Sequence, residues 1–247
     1  MKDPPSPTRL IFGLQPVREA IRAHGSRLLE VVLETSEQPR LAAVERFASD
    51  HGIHTRRVDR GHLDRLCRGG YHQGAVAVAP ALRLVTLEQI EVNASALILV
   101  LDGVMDPQNF GAAIRSAVAL GATAIVWPEH ASAPLSPATF RASAGAIEHA
   151  ALCRVASLSS ALQDLASRGV TSIALDPSAE VELPSVNLCG PVALVIGAED
   201  RGVRHATRKS CTSSARLPMA ARIGSLNASV AAALGLYETQ RQRAAAR

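Results

Sequence analysis

Aromatic side chains and long apolar runs are scarce in this sequence. Only 3% of the residues are Phe, Trp or Tyr, so recognition of nucleic-acid bases by an extended aromatic platform is disfavoured. No run approaches the ~20 apolar residues that a membrane-spanning helix needs. The N-terminal stretch MKDPPSPTRL lacks the apolar centre of a signal peptide. We therefore expect a globular protein of the cytoplasm with no membrane partner.

Motifs that define several common enzyme classes are also absent. The sequence contains no GxGxxG, GxxxxGKS/T or GxSxG segment, which disfavours a Rossmann dinucleotide site, a P-loop and an α/β-hydrolase nucleophile. His51 and His54 have the spacing of metal ligands, but no second pair follows them, so we expect no bound metal. The cysteines form no CxxC pair, and we expect all four to be buried thiols: Cys67, Cys153, Cys189 and Cys211.

The basic residues are almost all arginines. The net charge is +4 and the isoelectric point is about 9.2, values that permit a polyanionic partner without requiring one. Every cation except Lys2 and Lys209 is Arg, whose guanidinium suits phosphate and base edges, although a GC-rich coding sequence produces the same excess. The arginine-rich window Arg56–Arg68 is therefore either a solvated face or an RNA-contacting edge.

Alternating strand and helix patterns divide the chain into two α/β blocks. We predict a disordered tail at residues 1–8, a small α/β domain at 9–80, a linker at 81–94 and a larger domain with a parallel sheet at 95–247. In the larger block, Ser136 and Pro137 predict the start of a helix that continues to Ala150. In the smaller block, Tyr71 to Gln73 form a polar insert before an apolar strand, which is either a nucleotide-binding lip or a turn.

Polar side chains follow two apolar strands of the larger block. The segment Leu97–Trp127 has the order strand, DPQN turn, helix, strand, with Asn109 at an N-cap or ligand-facing position and Arg115 within the helix. The apolar run Pro191–Gly197 predicts a buried parallel strand, and Glu199 follows it in a charged loop. Open α/β sheets bind ligands at the carboxyl ends of their strands, so both segments are candidate parts of a site.

A third segment combines a strand-like run with a final helix. Ser214–Met219 predicts a short strand, and a loop then leads to SLNASVAAALGLYETQRQR, where Ser225 or Asn227 can cap the helix. On position alone, Arg115 could equally be a surface arginine, Glu199 a solvated carboxylate, and Ser225 and Asn227 simple caps.

The three segments together resemble the motifs of the SpoU family of RNA ribose 2'-O-methyltransferases. The matching stretches are DPQNFGAAIRSA, LVIGAEDRGVR and LPMAARIGSLNASVAAALGLYE, and IFGLQPVREAIR and YHQGAVAV resemble the substrate-binding domain of the subgroup that methylates a guanosine of 23S rRNA. The resemblance implies a trefoil-knotted α/β methyltransferase domain behind a small domain like ribosomal protein L30e. It also implies S-adenosyl-L-methionine as cofactor, an RNA substrate and a homodimer.

The same resemblance assigns roles to individual residues. Those expected in the catalytic centre are Asn109, Arg115, Glu199, Ser225 and Asn227. Those expected to hold the adenine and ribose of the cofactor through backbone groups are Gly197, Leu217 and Leu226. Because the donor methyl is already activated, the protein has mainly to position both reactants and favour the forming alkoxide. A guanidinium is a poor base, so we expect Arg115 to hold a phosphate and polarise the 2'-hydroxyl.

Three positions depart from the family pattern. Asp200 stands where the family has glycine, and Ala221 and Arg222 occupy a loop that usually contains glycine. Asp200 puts a negative charge beside the site, and the two loop residues affect the expected cofactor geometry. Two other functions fit the same scaffold: 2'-O-methylation of tRNA, and RNA binding without catalysis.

Overall fold

The chain folds into two compact units, each with its own sheet. A computed structural model describes residues 8–220 and 224–246. One unit comprises the chain up to Arg83 together with Ala144–His149, and the other comprises Leu84–Ser143 and Ala150 onward. Residues 1–7 of the predicted tail lie outside the described residues, whereas Thr8, also assigned to that tail, begins a strand. No helix in the described ranges is both long and apolar enough to cross a bilayer.

The first unit is a four-stranded sheet with helices on both faces. Its elements are β1 (Thr8–Phe12), α1 (Leu14–His24), a 3-10 turn (Gly25–Arg27), β2 (Glu30–Glu34), α2 (Pro39–Asp50), β3 (Thr55–Val58), α3 (Arg60–Leu66), β4 (Ala75–Pro80) and a second 3-10 turn (Ala146–His149). The strand order is β1-β4-β2-β3, with only β2 and β3 parallel. Side chains alternate along β2: Val31 and Leu33 pack with α1 and α2, and Val32 packs with Leu63 of α3.

A buried carboxylate attaches the second 3-10 turn to the rest of the first unit. Arg9 donates to both oxygens of Glu148, with Nη1 at 2.8 Å from Oε1, and His24 Nε2 lies 2.8 Å from Oε2. The Glu148 side chain is 1% exposed. Burial by itself would raise the pKa of Glu148, but the hydrogen bonds from Arg9 and His24 outweigh it and hold that pKa below its usual range.

The second unit is a seven-stranded parallel sheet. Its elements are β5 (Leu84–Val85), β6 (Leu97–Asp102), α4 (Pro107–Ala119), β7 (Ala124–Pro128), α5 (Pro137–Ala142), β8 (Leu152–Val155), α6 (Leu158–Ser167), β9 (Thr171–Leu175), a 3-10 turn (Leu183–Ser185), β10 (Val192–Gly197), α7 (His205–Lys209), β11 (Ser213–Ala215) and α8 (Ala228–Ala245). The order is β11-β9-β10-β6-β7-β8-β5, and every pairing is parallel. The chain builds outward from β6 through β7 and β8, then crosses to the other side of the sheet. The strand order therefore reverses between β6 and β10, which is where open α/β sheets bind ligands.

Several local predictions were wrong in detail. The helix expected to reach Ala150 ends at Ala142, because Ala144 (φ 49°) and Gly145 (φ 87°) adopt left-handed backbone conformations that a helix cannot continue through. The predicted linker at 81–94 contains β5, which pairs with β8. The strand expected at Ser214–Met219 is only the three residues of β11.

The cysteine prediction was half right. Cys67 and Cys153 are buried, whereas Cys211 is partly exposed and Cys189 is exposed. Cys189 lies in a surface turn before β10, where its amide donates to Asn187 Oδ1 at 3.0 Å. Burial raises the pKa of the Cys153 thiol to about 11, with a smaller contribution from Glu88, so this thiol is unreactive at neutral pH.

Candidate active site

The ends of β6 and β10 bring the first two motifs side by side. Gly197 pairs with Asp102 as the last residues of the two parallel strands, so the segments that follow leave the same edge of the sheet. α4 follows β6, with Pro107 at its first position and Asp106 as its N-cap, accepting from the amides of Gln108 and Asn109 at 3.2 Å. Asn109 is therefore inside the first turn of the helix and is not its cap, contrary to one of the two expectations.

The loop after β10 is short and tightly closed. The amide of Gly202 donates to the Ala198 carbonyl at 2.8 Å, and Gly202 has φ 64°. A Cβ at Gly197 would lie 1.9 Å from the Gly202 carbonyl carbon, so only glycine allows the loop to fold back on the strand. Beyond the loop, Arg204 donates from its amide and its Nε to the fully buried Asp102, at 2.9 and 2.5 Å.

Three side chains from three separate segments form one hydrogen-bonded chain. Asn227 Nδ2 donates to Asn109 Oδ1 at 2.7 Å, and Asn109 Nδ2 donates to Glu199 Oε1 at 2.6 Å. Glu199 Oε1 also lies 3.4 Å from the amide of Ala228. The charge of Glu199 strengthens the bond that it accepts from Asn109, and the amide of Asn109 is held at both ends.

Asn227 also begins the last helix. Its Oδ1 accepts from the amides of Ser229 at 2.9 Å and Val230 at 3.4 Å, so Asn227, rather than Ser225, is the N-cap of α8. One oxygen therefore fixes the start of the helix while the amide nitrogen of the same side chain reaches Asn109. Asn227 is therefore both the N-cap of α8 and a hydrogen-bond partner of Asn109 in the first motif.

Ser225 and Arg115 stand apart from this chain of hydrogen bonds. Arg115 lies six residues beyond Asn109 in α4, about 9 Å further along the axis at 1.5 Å per residue. Its side chain is exposed, and among the described residues it has no hydrogen bond or ion-pair partner. Ser225 is exposed at the rim of the cavity described next.

A cavity of about 240 Å³ opens at the carboxyl edge of the second sheet. The predicted cofactor residues Gly197, Leu217 and Leu226 all line it, as do Glu199 and Ser225. The lining combines apolar side chains such as Leu217 and Leu226 with backbone groups at the end of β10, which suits a flat ring with a polar sugar attached. Ala221 and Arg222, two of the departures from the family pattern, lie outside the described residues.

Sequence reasoning missed other residues of this cavity. Asp176, Pro177 and Met219 also line it, together with Arg201 of the charged loop that the sequence did indicate. Burial would raise the pKa of Asp176, but hydrogen bonds from Ser178 and Arg208 hold that pKa below its usual range. The position of Asp176, directly after the strand β9, was the available signal. The described residues contain no group of three or more His, Cys, Asp or Glu side chains arranged to hold a metal ion.

The fold and the site define an α/β protein with a cavity at the carboxyl ends of β9 and β10 in a parallel sheet. A family model described as the SpoU rRNA methylase family matches residues 96–237, and one described as RNA 2'-O ribose methyltransferase substrate binding matches residues 10–85. The chain belongs to the SpoU family, and the predicted family and α/β fold class are confirmed. The trefoil knot stays a prediction.

Relatives and solved structures agree with this assignment. The chain is 39% identical over 239 residues to the 23S rRNA (guanosine-2'-O-)-methyltransferase RlmB of Xanthomonas campestris, covering 94% of this chain and 96% of that protein. It is 38% identical to the protein of the same name in Pseudomonas syringae, with 96% and 97% covered. The SpoU methyltransferase AviRb from Streptomyces viridochromogenes, solved with AdoMet, superposes with a TM-score of 0.78 at 26% identity, covering 97% of this chain and 92% of that one.

Proposed function

We propose that this protein transfers a methyl group from S-adenosylmethionine to the ribose 2'-hydroxyl of a guanosine in 23S rRNA, in the cytoplasm. The observation that carries the proposal is the hydrogen-bonded chain Asn227–Asn109–Glu199 at the rim of the cavity. It joins the three motif segments, and the relatives that match nearly the whole chain carry this activity in their names.

The cavity suits the proposed cofactor. Leu217 and Leu226 offer apolar contacts for an adenine ring, and backbone groups at Gly197 lie at the open strand end. When bound, the sulfonium supplies an activated methyl group. The chain's own residues must then hold the ribose in line with it and stabilise charge on the attacking oxygen.

Glu199 and Arg115 have separate roles in this proposal. Glu199 Oε1 is engaged by Asn109, while Oε2 accepts no hydrogen bond from a described residue and is available to a ribose hydroxyl. Arg115 is exposed and permanently charged, so it can hold an RNA phosphate and polarise the hydroxyl beside it. Asn109 and Asn227 fix the position of Glu199, and Ser225 lies at the rim where the two reactants would meet.

The last helix supports the predicted homodimer. Val230, Leu234 and Tyr237 are 45%, 44% and 59% exposed, and their spacing of four and three residues puts them on one face of α8. An apolar face of this kind is typical of a protein–protein interface. The substitution Leu234→Glu should shift the protein from dimer toward monomer, as measured by sedimentation velocity. A wild-type protein that is monomeric at all concentrations would contradict the dimer.

Methyl transfer from labelled cofactor tests the proposed activity directly. The purified chain is incubated with labelled S-adenosylmethionine and separately with 23S rRNA, 16S rRNA and tRNA from a strain lacking the gene. We expect label in 23S rRNA alone, at one guanosine mapped by resistance of its 3' linkage to alkaline cleavage. Label in tRNA alone would show that the substrate is tRNA and contradict the rRNA assignment. No label in any RNA would favour the alternative of an RNA-binding protein without catalysis.

A further inference from the structure

A second cavity lies within the first unit and contains none of the residues assigned to methyl transfer or to the cofactor; the polar insert Tyr71–Gln73 forms part of its lining. It has a volume of about 310 Å³ and is lined by the α3–β4 loop and by the end of β2 and start of α2. The side chains that matter here are Glu34, Arg40, Arg60, Tyr71 and His72. Tyr71 is 74% exposed in a protein with few aromatic residues, and this exposure has no explanation in packing.

The loop that carries Tyr71 is held by polar contacts that centre on the buried His72. His72 is 4% exposed, lies with Nε2 2.9 Å from Asp64 Oδ1, and accepts from the Gly74 amide through Nδ1 at 3.0 Å. On its other side, Gln73 Oε1 accepts from the Leu14 amide at 3.1 Å. These contacts fix the residues next to Tyr71 while its ring stays outside, so the ring is displayed on an ordered support.

The backbone of the same loop is strained. Arg68 and Gln73 have φ of 50° and 54°, a region that side-chain-bearing residues rarely adopt. Such conformations persist only where surrounding contacts hold them, and they are concentrated at binding sites. A plain connecting turn would not need a buried histidine bonded to Asp64, or two residues with strained backbone, to hold one exposed tyrosine.

Two charged groups that line the same cavity are free to contact a ligand. Arg60 is exposed and forms no hydrogen bond or ion pair with any described residue. Glu34 is half-buried, and no described residue donates to its carboxylate. Gly74 leaves room for that carboxylate, since a Cβ there would lie 3.0 Å from Glu34 Oε2. Tyr71 therefore offers an aromatic face for stacking. Arg60 offers hydrogen-bond donors to a phosphate, and Glu34 offers a pair of acceptor oxygens.

We propose that this cavity binds one unstacked guanine nucleotide of single-stranded RNA. The base stacks on Tyr71, as unpaired bases do on aromatic side chains. Its Watson–Crick edge presents two neighbouring N–H donors to Glu34, and only guanine among the four bases matches a carboxylate in this way. Arg60 holds the adjoining phosphate. The proposal rests on the proposed function for its RNA substrate but uses none of the methyl-transfer residues.

Binding of short RNA to the full-length protein tests the cavity independently of catalysis. Fluorescence anisotropy measures the binding of two RNA heptamers, each of uridines with one central guanosine or one central adenosine. Free GMP is then added as a competitor. We expect the guanosine oligomer to bind more tightly than the adenosine one. Tyr71→Ala should weaken it by about 5- to 150-fold, the usual range for loss of one base–aromatic stack, while Tyr71→Phe should stay within about twofold.

Matched charge variants test the other two contacts. Glu34→Gln should remove the preference for guanosine, and Glu37→Gln, at an exposed neighbour outside the cavity, should keep it. Arg60→Ala should weaken both oligomers equally and lower the slope of log affinity against log salt by about 0.7, the value for one phosphate on a single strand. Arg56→Ala, which removes an arginine paired with Glu30, should leave the slope unchanged.

The outcomes separate this proposal from the proposed function. Unchanged affinity in Tyr71→Ala, or a guanosine preference that survives Glu34→Gln, would overturn the cavity assignment even if 23S rRNA is methylated. Binding of GMP as tight as that of the oligomer would show a free-nucleotide site and overturn the RNA assignment. Conversely, a protein that prefers the guanosine oligomer but methylates no RNA would support the guanine-binding cavity and contradict the proposed methyltransferase activity. Cofactor affinity should be equal in all these variants.

Discussion

Gly197→Ala is the change whose effect on the proposed cofactor cavity the structure defines most closely. The added Cβ would lie 1.9 Å from the carbonyl carbon of Gly202 and 2.1 Å from the amide nitrogen of Val203. Both are backbone atoms, so no side chain can rotate away. Restoring an ordinary contact of 3.4 Å requires the loop or the strand to move by about 1.5 Å.

The loop must move, because the strand cannot. β10 is paired on both sides, with β9 and β6, and its residues from Val192 to Ile196 are buried. Movement of the loop displaces Glu199 from Asn109 and strains the Arg204 contacts to Asp102. Overpacking of this kind costs about 1–3 kcal/mol of stability, and the displaced loop no longer presents the same surface to a bound cofactor, which weakens cofactor binding.

Calorimetry and denaturation measure the two consequences separately. We expect Gly197→Ala to bind S-adenosylmethionine at least tenfold more weakly than wild type while remaining folded. Gly190→Ala is the matched control, because a Cβ at Gly190 meets no atom within 4 Å, and both its cofactor affinity and its stability should be close to wild type. Cofactor affinity of Gly197→Ala within twofold of wild type would show that this loop does not form the cofactor site.

Three further changes test the other parts of the structure. Arg115→Ala should abolish methyl transfer to 23S rRNA while cofactor affinity by calorimetry stays within a few-fold, and near-normal turnover would refute its role. Asn227→Ala should lower the free energy of unfolding in urea by about 1 kcal/mol, because α8 loses its N-cap. It should also lower turnover, because the bond to Asn109 is lost. Asn227→Ser can still cap the helix, so it should restore the stability but not the turnover. Glu148→Gln should lower stability by about 3 kcal/mol at pH 7, since it breaks a buried ion pair. Because the folded-state pKa of Glu148 is lowered, its contribution is present above the ordinary value of 4.5 and is lost as pH falls through the folded-state value. The difference between wild type and Glu148→Gln should therefore shrink on acidification below pH 4.5, and a constant difference would contradict this account.

The sequence indicated the edge of the sheet on which the site lies, because each motif follows an apolar strand. It left open whether Glu199 would bond to Arg115 or to Asn109, and it gave no sign of the bond from Asn227 to Asn109. Asn109 bonds to Glu199 across 90 positions and to Asn227 across 118, and no periodicity relates residues so far apart. Asp106 is the cap of α4 that the sequence itself favours, since Pro107 marks the first helical position, and Asn109 falls three residues too late for that role.

Asp102 shows why the remaining geometry could not be inferred from the motifs. A fully buried carboxylate is stable only when it is paired, yet the apolar run LILVLD gives no sign of its partner. The structure supplies Arg204, which reaches both oxygens. Gly197 fixes the start of the 198–203 loop, and Asp102 fixes Arg204, the residue after its end. The position of Glu199 in that loop therefore depends on Asp102, although Asp102 takes no part in the Asn227–Asn109–Glu199 chain. Motif residues are thus placed by partners outside the motif, and only the folded chain identifies those partners.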